Sequence, residues 1–406
     1  MKIRTVTLGK SLLAPNYEEG ISSASRFLQL ASEAYRDEGV EVQTTRLAAQ
    51  TFNELVNEDV DNVIGIAVTV EREALNNGIE YVSLGTILPR GNLQLISMVP
   101  DVLVATERAS LSVIVADNEI GIHFPAIKLA ARMIKEISRL TTNGFGNHRF
   151  AALVNCPSNI PFFPAGYHRG KESQFTLGLE CADLFLEALS NDGTIQDKRD
   201  ALVNSICFAA KTIEKVAYRL EEEMAIPYGG IDFSTATYPS PYISIAGAME
   251  ALGLDKFGSH GTLFAAACVT DAINRGQFRR AGFSGLFLPV MEDSVLAQRN
   301  DEEIYGIDSL LLYSAVCGSG LDTIPLPGDV DVNDLASIIL DVATLGIMLD
   351  KPLTARLVPI PGKNAREFTD FDFPYYAKTR TMSTKQLNSK VLLNSDEILL
   401  LRNRRL

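Results

Sequence analysis

Strand-like and helix-like segments alternate along this chain, and no other feature restricts its fold as much. Residues 3–8 alternate apolar with polar and β-branched side chains, as a half-buried strand does. Residues 18–37 then place Ile21, Ala24, Phe27, Leu28 and Ala31 on one helical face. The pattern repeats with strands over 40–45, 79–87, 110–116 and 149–155, and with helices over 59–76 and 125–140. A long helix over 191–223 follows, then a strand over 225–234, helices over 240–252, 262–274 and 332–349, and a last strand over 352–359. Such alternation predicts an α/β fold around a largely parallel sheet.

Length and charge narrow the reading. At 406 residues, the chain suits one large domain with insertions or two smaller ones. No composition break reads as a linker before residue 363, so a single α/β domain over 1–362 is expected. From 363 to 406 an aromatic stretch, Phe368 to Tyr376, reads as a C-terminal extension wrapping the domain, and the basic end at Arg402–Arg405 as a solvated terminus. The net charge of −13 argues against nucleic acid and anionic membranes as partners. The five cysteines form no C-x-x-C pair, which fits a reducing cytoplasm, and the start lacks a signal-peptide pattern. A small-molecule substrate and a homo-oligomer, a dimer, are the partners expected.

Chemistry concentrates in residues 226–329, where four apolar runs each meet a glycine-rich turn. These turns carry Asp232, then Ser259 and His260, then Glu292 and Asp293, then Cys317, Ser319 and Asp322. A rigid core presents reactive groups on such short loops. His260, between glycines, is the candidate general acid or base, because imidazole titrates near neutrality. Asp232 would orient it or bind metal. Glu292, Asp293 and Asp322 could hold a divalent metal ion through oxygen ligands, or could equally favour helix starts. Cys317 is a candidate nucleophile or a packed thiol. His168, Arg169 and Lys171, in a basic loop, could hold an anionic group beside Ser259 and Ser319. His123 and His148 read as structural or exposed. Near-matches to a phosphate loop at 165–172, a dinucleotide turn at 144–149 and a nucleophile elbow at 282–286 each lack a required residue, so no nucleotide motif is present.

At Gly230-Ile231-Asp232-Phe233-Ser234, Gly258-Ser259-His260-Gly261-Thr262, residues 285–293, Cys317-Gly318-Ser319-Gly320-Leu321-Asp322 and Thr354-Ala355-Arg356-Leu357-Val358-Pro359, the sequence resembles the domain of unknown function 711 family. The likeness extends from Lys2 to about Gly362. It implies a ten-stranded α/β barrel like that of pyruvate formate-lyase and anaerobic ribonucleotide reductase, both glycyl radical enzymes, with Cys317 on a central loop. The chain contains no glycine after Gly362, so no glycyl radical is expected. The residues after His168 are bulkier and more charged than the family pattern, which implies a different substrate. The expected activity is acid–base chemistry, with or without help from a divalent metal ion, of lyase, isomerase or cyclase type on a small polar or anionic metabolite. The other expectation is a non-catalytic metabolite-binding regulator using the same pocket. On the first reading, His260→Ala abolishes turnover and leaves the fold intact.

Overall fold

The computed structural model describes residues 1–13, 16–385 and 395–402; Asn403, Arg404 and Arg405 of the basic end lie outside them. Eleven strands form one sheet: β1 Lys2–Gly9, β2 Thr45–Ala48, β3 Tyr81–Ile87, β4 Ala109–Asp117, β5 Gly121–His123, β6 Phe150–Val154, β7 Gln174–Glu180, β8 Tyr228–Ala236, β9 Gly320–Pro327, β10 Leu353–Ile360 and β11 Ile398–Leu399. The main path runs β8-β7-β1-β2-β3-β4-β6-β10-β9, with β5 and β11 paired at the end of β4. Strands β1, β2, β3, β4 and β6 run parallel to one another in that order, as do β7 with β8 and β9 with β10. The chain reverses where β1 meets β7 and where β6 meets β10. The fold is therefore mixed α/β with a large, mostly parallel sheet.

The closed ten-stranded barrel is not what the ladders form: the sheet is open, with β8 and β9 at its edges. The stretch 279–290 lies between these edges and joins each by one isolated parallel bridge, Ile231 to Arg280 and Pro289 to Asp322. It carries Pro289 and three glycines or glycine-like turns at 282–285, and Ser284 has φ +39, so a continuous ladder cannot run through it.

Helices cover the outer face. Tyr17–Asp37 packs on β1 and β2, Phe124–Leu140 on β4 and β10, and Val332–Leu349 on β10 and β6. Val332–Leu349 is the one helix among the described residues long and apolar enough to cross a bilayer, and Leu335, Ile338, Ile339, Val342 and Ile347 are buried in the core. Thr194 and Asp197 form a reciprocal capping box that starts the longest helix, Ile195–Met224.

Four strands have no counterpart in the alternation: the short pair β5 and β11, and the longer β7 and β9. β7 follows the basic loop, and β9 carries Pro325 and Pro327, which discourage a strand reading. Both prolines are tolerated because β9 is an edge strand whose ladder partner lies on one side only. The predicted strand over 40–45 shrinks to one bridge at Val42, and the ladder begins at Thr45.

The loop 155–168 turns into the space enclosed by the sheet. Ile160, Phe162 and Ala165 pack there with Ile114, Ala151, Leu153, Cys156 and Phe287 as a cluster separate from the main core. The Thr7 hydroxyl donates to the Pro161 carbonyl at 2.9 Å, and Ser83 to that of Gly166 at 2.6 Å. The tail from 363 folds back on the domain, with the Ala377 amide donating to Met291 and the Met382 amide to Pro325, at 2.7 and 2.8 Å.

Candidate functional site

The sheet curls around a cavity of about 350 Å³. Its polar wall comes from strand starts: Arg4 on β1, Arg46 on β2, Tyr81 on β3, and Arg108 and Ser110 at the head of β4. Asp322, Thr354 and Arg356 contribute from β9 and β10, and Ser319 from the residue before β9. The apolar wall is aromatic: Phe162 and Phe163 of the inner loop, Phe283 and Phe287 of the bridging stretch, and Phe373 and Tyr375 of the tail. The tail thus belongs to the site as well as to the domain surface.

Arg356 organises one side. Its Nε donates to Asp322 Oδ1 at 2.6 Å and its Nη2 to Glu292 Oε1 at 2.7 Å. All three side chains are nearly enclosed, at 9, 10 and 14% exposure for Arg356, Asp322 and Glu292. Charge-assisted hydrogen bonds in such a setting are strong. Two carboxylates share one guanidinium, so the group carries an excess negative charge when both are ionised. Burial raises the Glu292 carboxyl above its ordinary value and Asp322 adds to the rise, while Arg356 opposes both. Glu292 is therefore a carboxyl in the cavity whose proton affinity is tuned upward.

The other arginines differ in how far they are committed. Arg4 donates to Glu180 at 2.8 Å and to Gln43 at 2.9 Å, under the ring of Tyr375 at 4.5 Å. Arg149 is spent on the carbonyls of Leu103 and Ala109, and Arg108 donates to the Tyr81 hydroxyl at 2.9 Å. Arg46 lies between the rings of Phe163 and Tyr81, at 5.3 and 5.6 Å, and its Nε donates to Thr44. Burial, then the charge of Arg4, lowers it to about 10, which leaves it cationic at neutral pH.

His148 stacks flat on Phe145, at 5.4 Å and 6°, with Nδ1 2.7 Å from the Tyr376 hydroxyl. Burial and then the charge of Arg356 hold its pKa well below the ordinary value, so the ring is neutral at pH 7. It borders the cavity, contrary to the expectation of a merely structural or exposed role. His123 instead accepts from the Ala126 amide and starts helix Phe124–Leu140.

Of the residues singled out in the sequence, the fold brings Glu292, Asp322 and Ser319 to the cavity and leaves the others elsewhere. His260 is exposed on the turn before helix Thr262–Arg275, away from the cavity. The neighbouring Ser259 carbonyl accepts from the Thr262 hydroxyl at 2.7 Å, so this turn starts a helix. Asp232 is wholly buried in β8. It accepts from the Ser234 hydroxyl at 2.5 Å and from the amides of Phe283 and Ser284, both at 2.8 Å. Burial still outweighs these bonds and pushes it up to about 6. It anchors the turn after Gly282 and faces no ligand space.

Asp293 is also buried. It accepts from the Val295 and Leu296 amides, capping helix Ser294–Asp301, and from Ser244 and the Ile245 amide at the start of helix Ile245–Ala251. The metal expectation is corrected accordingly: Asp293 points away, while Glu292 and Asp322 are bound to Arg356. Among the described residues no group of three or more His, Cys, Asp or Glu is placed to hold a metal ion.

Cys317 is buried in the main core, where its sulfur accepts from the Gly320 amide at 3.4 Å, and it does not line the cavity. The loop that enters the enclosed space is 155–168, which carries Cys156; burial pushes that thiol up to about 12. His168 is buried at the end of this loop, bonded to Asn159 at 3.0 Å, while Arg169 and Lys171 are exposed. No anion clamp forms there. The glycines near Cys317 have a packing reason instead: a Cβ on Gly285 would lie 2.6 Å from the Gly318 Cα, so both must be bare for these two segments to meet.

The residues missed in the sequence are the arginines. Arg4, Arg46 and Arg108 each stand alone near a strand start, as in Lys2-Ile3-Arg4 and Thr45-Arg46, and Arg356, inside β10, fell in a family-like stretch without being read as a site residue. A single arginine aligned with the first inward position of several parallel strands was the available signal.

Residues 1–379 match the family model described as Uncharacterised ACR (DUF711). A UPF0210 protein of Desulforudis audaxviator is 29% identical over 406 residues, covering 91% of this chain and 88% of its own. One from Pyrobaculum arsenaticum is 30% identical over 396 residues, covering 91% and 87%. Among solved structures, an anaerobic ribonucleotide reductase overlays with a TM-score of 0.36 at 10% identity, covering 87% of this chain and 70% of that one.

Proposed function

We infer a function from the cavity itself, on the premise that this chain belongs to the DUF711 family, described as uncharacterised. The reading is an enzyme that moves a proton on a small anionic metabolite, as in an elimination, isomerisation or cyclisation. The single observation that carries it is the buried group in which Arg356 joins Glu292 and Asp322 beside a partly aromatic cavity. Paired acids in unlike surroundings are a common way to set a proton donor and acceptor apart. Glu292 would take or give the proton. Asp322 would keep it basic through its charge, and Arg356 would hold both in place and steady the ionised form.

The barrel belongs to this reading too. With 279–290 counted as a tenth member, the two isolated bridges at its ends would close the wall around the substrate.

Exchange of substrate hydrogen for deuterium tests the proton step without knowledge of the product. In heavy water, the full chain should label a bound small acid at a carbon next to its carbonyl or carboxyl group. Glu292→Gln should lower that rate by about 10²–10⁴, the usual contribution of a general base, with the melting transition retained. Equal labelling by the variant would remove Glu292 from this role.

A second reading is a regulator that binds the same metabolite unchanged. It is favoured by the direct ion pairs, because such pairs also perturb proton affinity for structural reasons. A ligand that stabilises the protein and is recovered without label or product would establish it.

A further inference from the structure

We propose that the cavity takes a small aromatic carboxylate bearing a hydroxyl or keto group at its far end, with Arg46 holding the acid and the Ser319 and Ser110 hydroxyls bonding the polar group. The inference rests on reading the cavity as a substrate site and names the class of compound that fills it.

The argument starts from what is left unbonded. Of the five cavity arginines, four spend terminal nitrogens on protein acceptors. Arg46 bonds only through Nε, to Thr44. Among the described residues neither terminal nitrogen of Arg46 has an acceptor, and no carboxylate lies within ion-pair distance of it. A guanidinium fork left open, and fixed between two rings, matches a planar carboxylate.

Two hydroxyls give the second, independent observation. Ser319 and Ser110 border the cavity, are 1% and 4% exposed, and their Oγ atoms have no hydrogen-bond partner. A buried hydroxyl without a partner costs free energy, so a ligand that bonds it gains selectivity over one that does not. In the sheet order β3, β4, β6 and β10 separate Arg46 on β2 from Ser319 at the head of β9. Arg46 and Ser319 thus line the same cavity from strands far apart in the sheet, with Ser110 on β4 between them in the strand order.

The same cavity also has an aromatic wall. Phe287 contacts Phe162 at 5.3 Å and Phe283 at 5.4 Å between ring centres, and all three border the cavity. A flat apolar body fits that surface. The volume lies within the range of small-molecule sites. The other four cavity arginines already bond protein acceptors and Arg356 neutralises part of Glu292 and Asp322, so Arg46 alone is free to pair a ligand charge, which suits a monoanion better than a doubly charged phosphate.

Calorimetric titration of the full chain tests this with 4-hydroxybenzoate, 4-hydroxyphenylacetate and 3-(4-hydroxyphenyl)propionate, each beside its acid lacking the hydroxyl, and with phenol and phenyl phosphate. At least one hydroxy acid should bind about tenfold tighter than its counterpart, from one net hydrogen bond. Phenol should bind too weakly to measure, and phenyl phosphate more weakly than the acid. Arg46→Gln should weaken the acids about tenfold to a hundredfold, and Ser319→Ala should erase the preference for the hydroxyl. Circular dichroism melting confirms that each variant is folded.

The proposal is overturned if no hydroxy acid binds the folded wild type. It is also overturned if phenol or phenyl phosphate binds as tightly, or if folded Arg46→Gln keeps full affinity. Binding without deuterium exchange leaves the substrate class standing and removes the proton-transfer reading. Exchange on some other compound, with none of these acids bound, does the reverse.

Discussion

Arg356→Met is the most informative single change, because it removes one guanidinium and strands two enclosed carboxylates. In the native protein Arg356 contacts Asp322 at 2.6 Å and Glu292 at 2.7 Å, with every partner at most 14% exposed. Removing one member of a buried pair costs about 3–5 kcal/mol, chiefly because the remaining charge is left uncompensated. Met keeps most of the volume, so cavity formation adds little. The cost should depend on pH. Without Arg356, which opposes the rise, burial lifts the Glu292 carboxyl further above its unfolded value near 4. A raised acid contributes its stability below the unfolded pKa and loses it as pH rises through the folded one. The deficit should therefore be large at pH 8 and should shrink toward pH 5. Guanidinium denaturation followed by circular dichroism at both values measures it. Adding Glu292→Gln should recover a substantial part at pH 8. A deficit under about 1 kcal/mol at pH 8, or one that does not change with pH, would refute the account of this group as a buried, mutually dependent triad.

Three further changes probe the surrounding framework. Asp232 has a folded pKa of about 6 against an ordinary 3.8, so its contribution is full below about pH 4 and fades as pH rises through 6. Relative to Asp232→Asn, wild type should thus lose up to about 3 kcal/mol over that window, and a constant difference in denaturation free energy would contradict this. Gly282→Ala puts a Cβ 2.0 Å from Asp232 Oδ2 at φ +58, and should cost at least about 2 kcal/mol; a melting temperature equal to wild type would show that the turn relaxes freely. His260→Ala should change stability by less than about 0.5 kcal/mol and leave ligand affinity untouched in the titrations, since the ring is exposed and outside the cavity. Loss of binding would return His260 to the site.

The fold class was legible because burial is periodic. Helix Val332–Leu349 and strand β4 lie where the apolar spacing places them, since helices and strands bury one face at periods set by their own geometry. β9 was less legible: its prolines read as a turn, and only its edge position makes them tolerable. The site was legible only in part. Glu292, Asp322 and Ser319 carried a local signature of ionisable or hydroxyl groups on glycine-rich turns. Asp232, Asp293 and Cys317 carried the same signature, yet they anchor a turn, cap two helices and fill the core.

Local pattern specifies whether a residue sits at a turn and whether it is charged. It does not specify which way the turn faces, and that choice separates Glu292 from Asp293, adjacent in sequence and opposite in use. By itself, the sequence determined the α/β alternation, the outer helices and the family to which the chain belongs. Tertiary structure alone gathered Arg4, Arg46, Arg108 and Arg356, from residues 4 to 356, around one cavity. The physical reason is register. Each arginine takes its inward direction from the pairing of its strand with a neighbour distant in sequence, and no local spacing encodes that pairing.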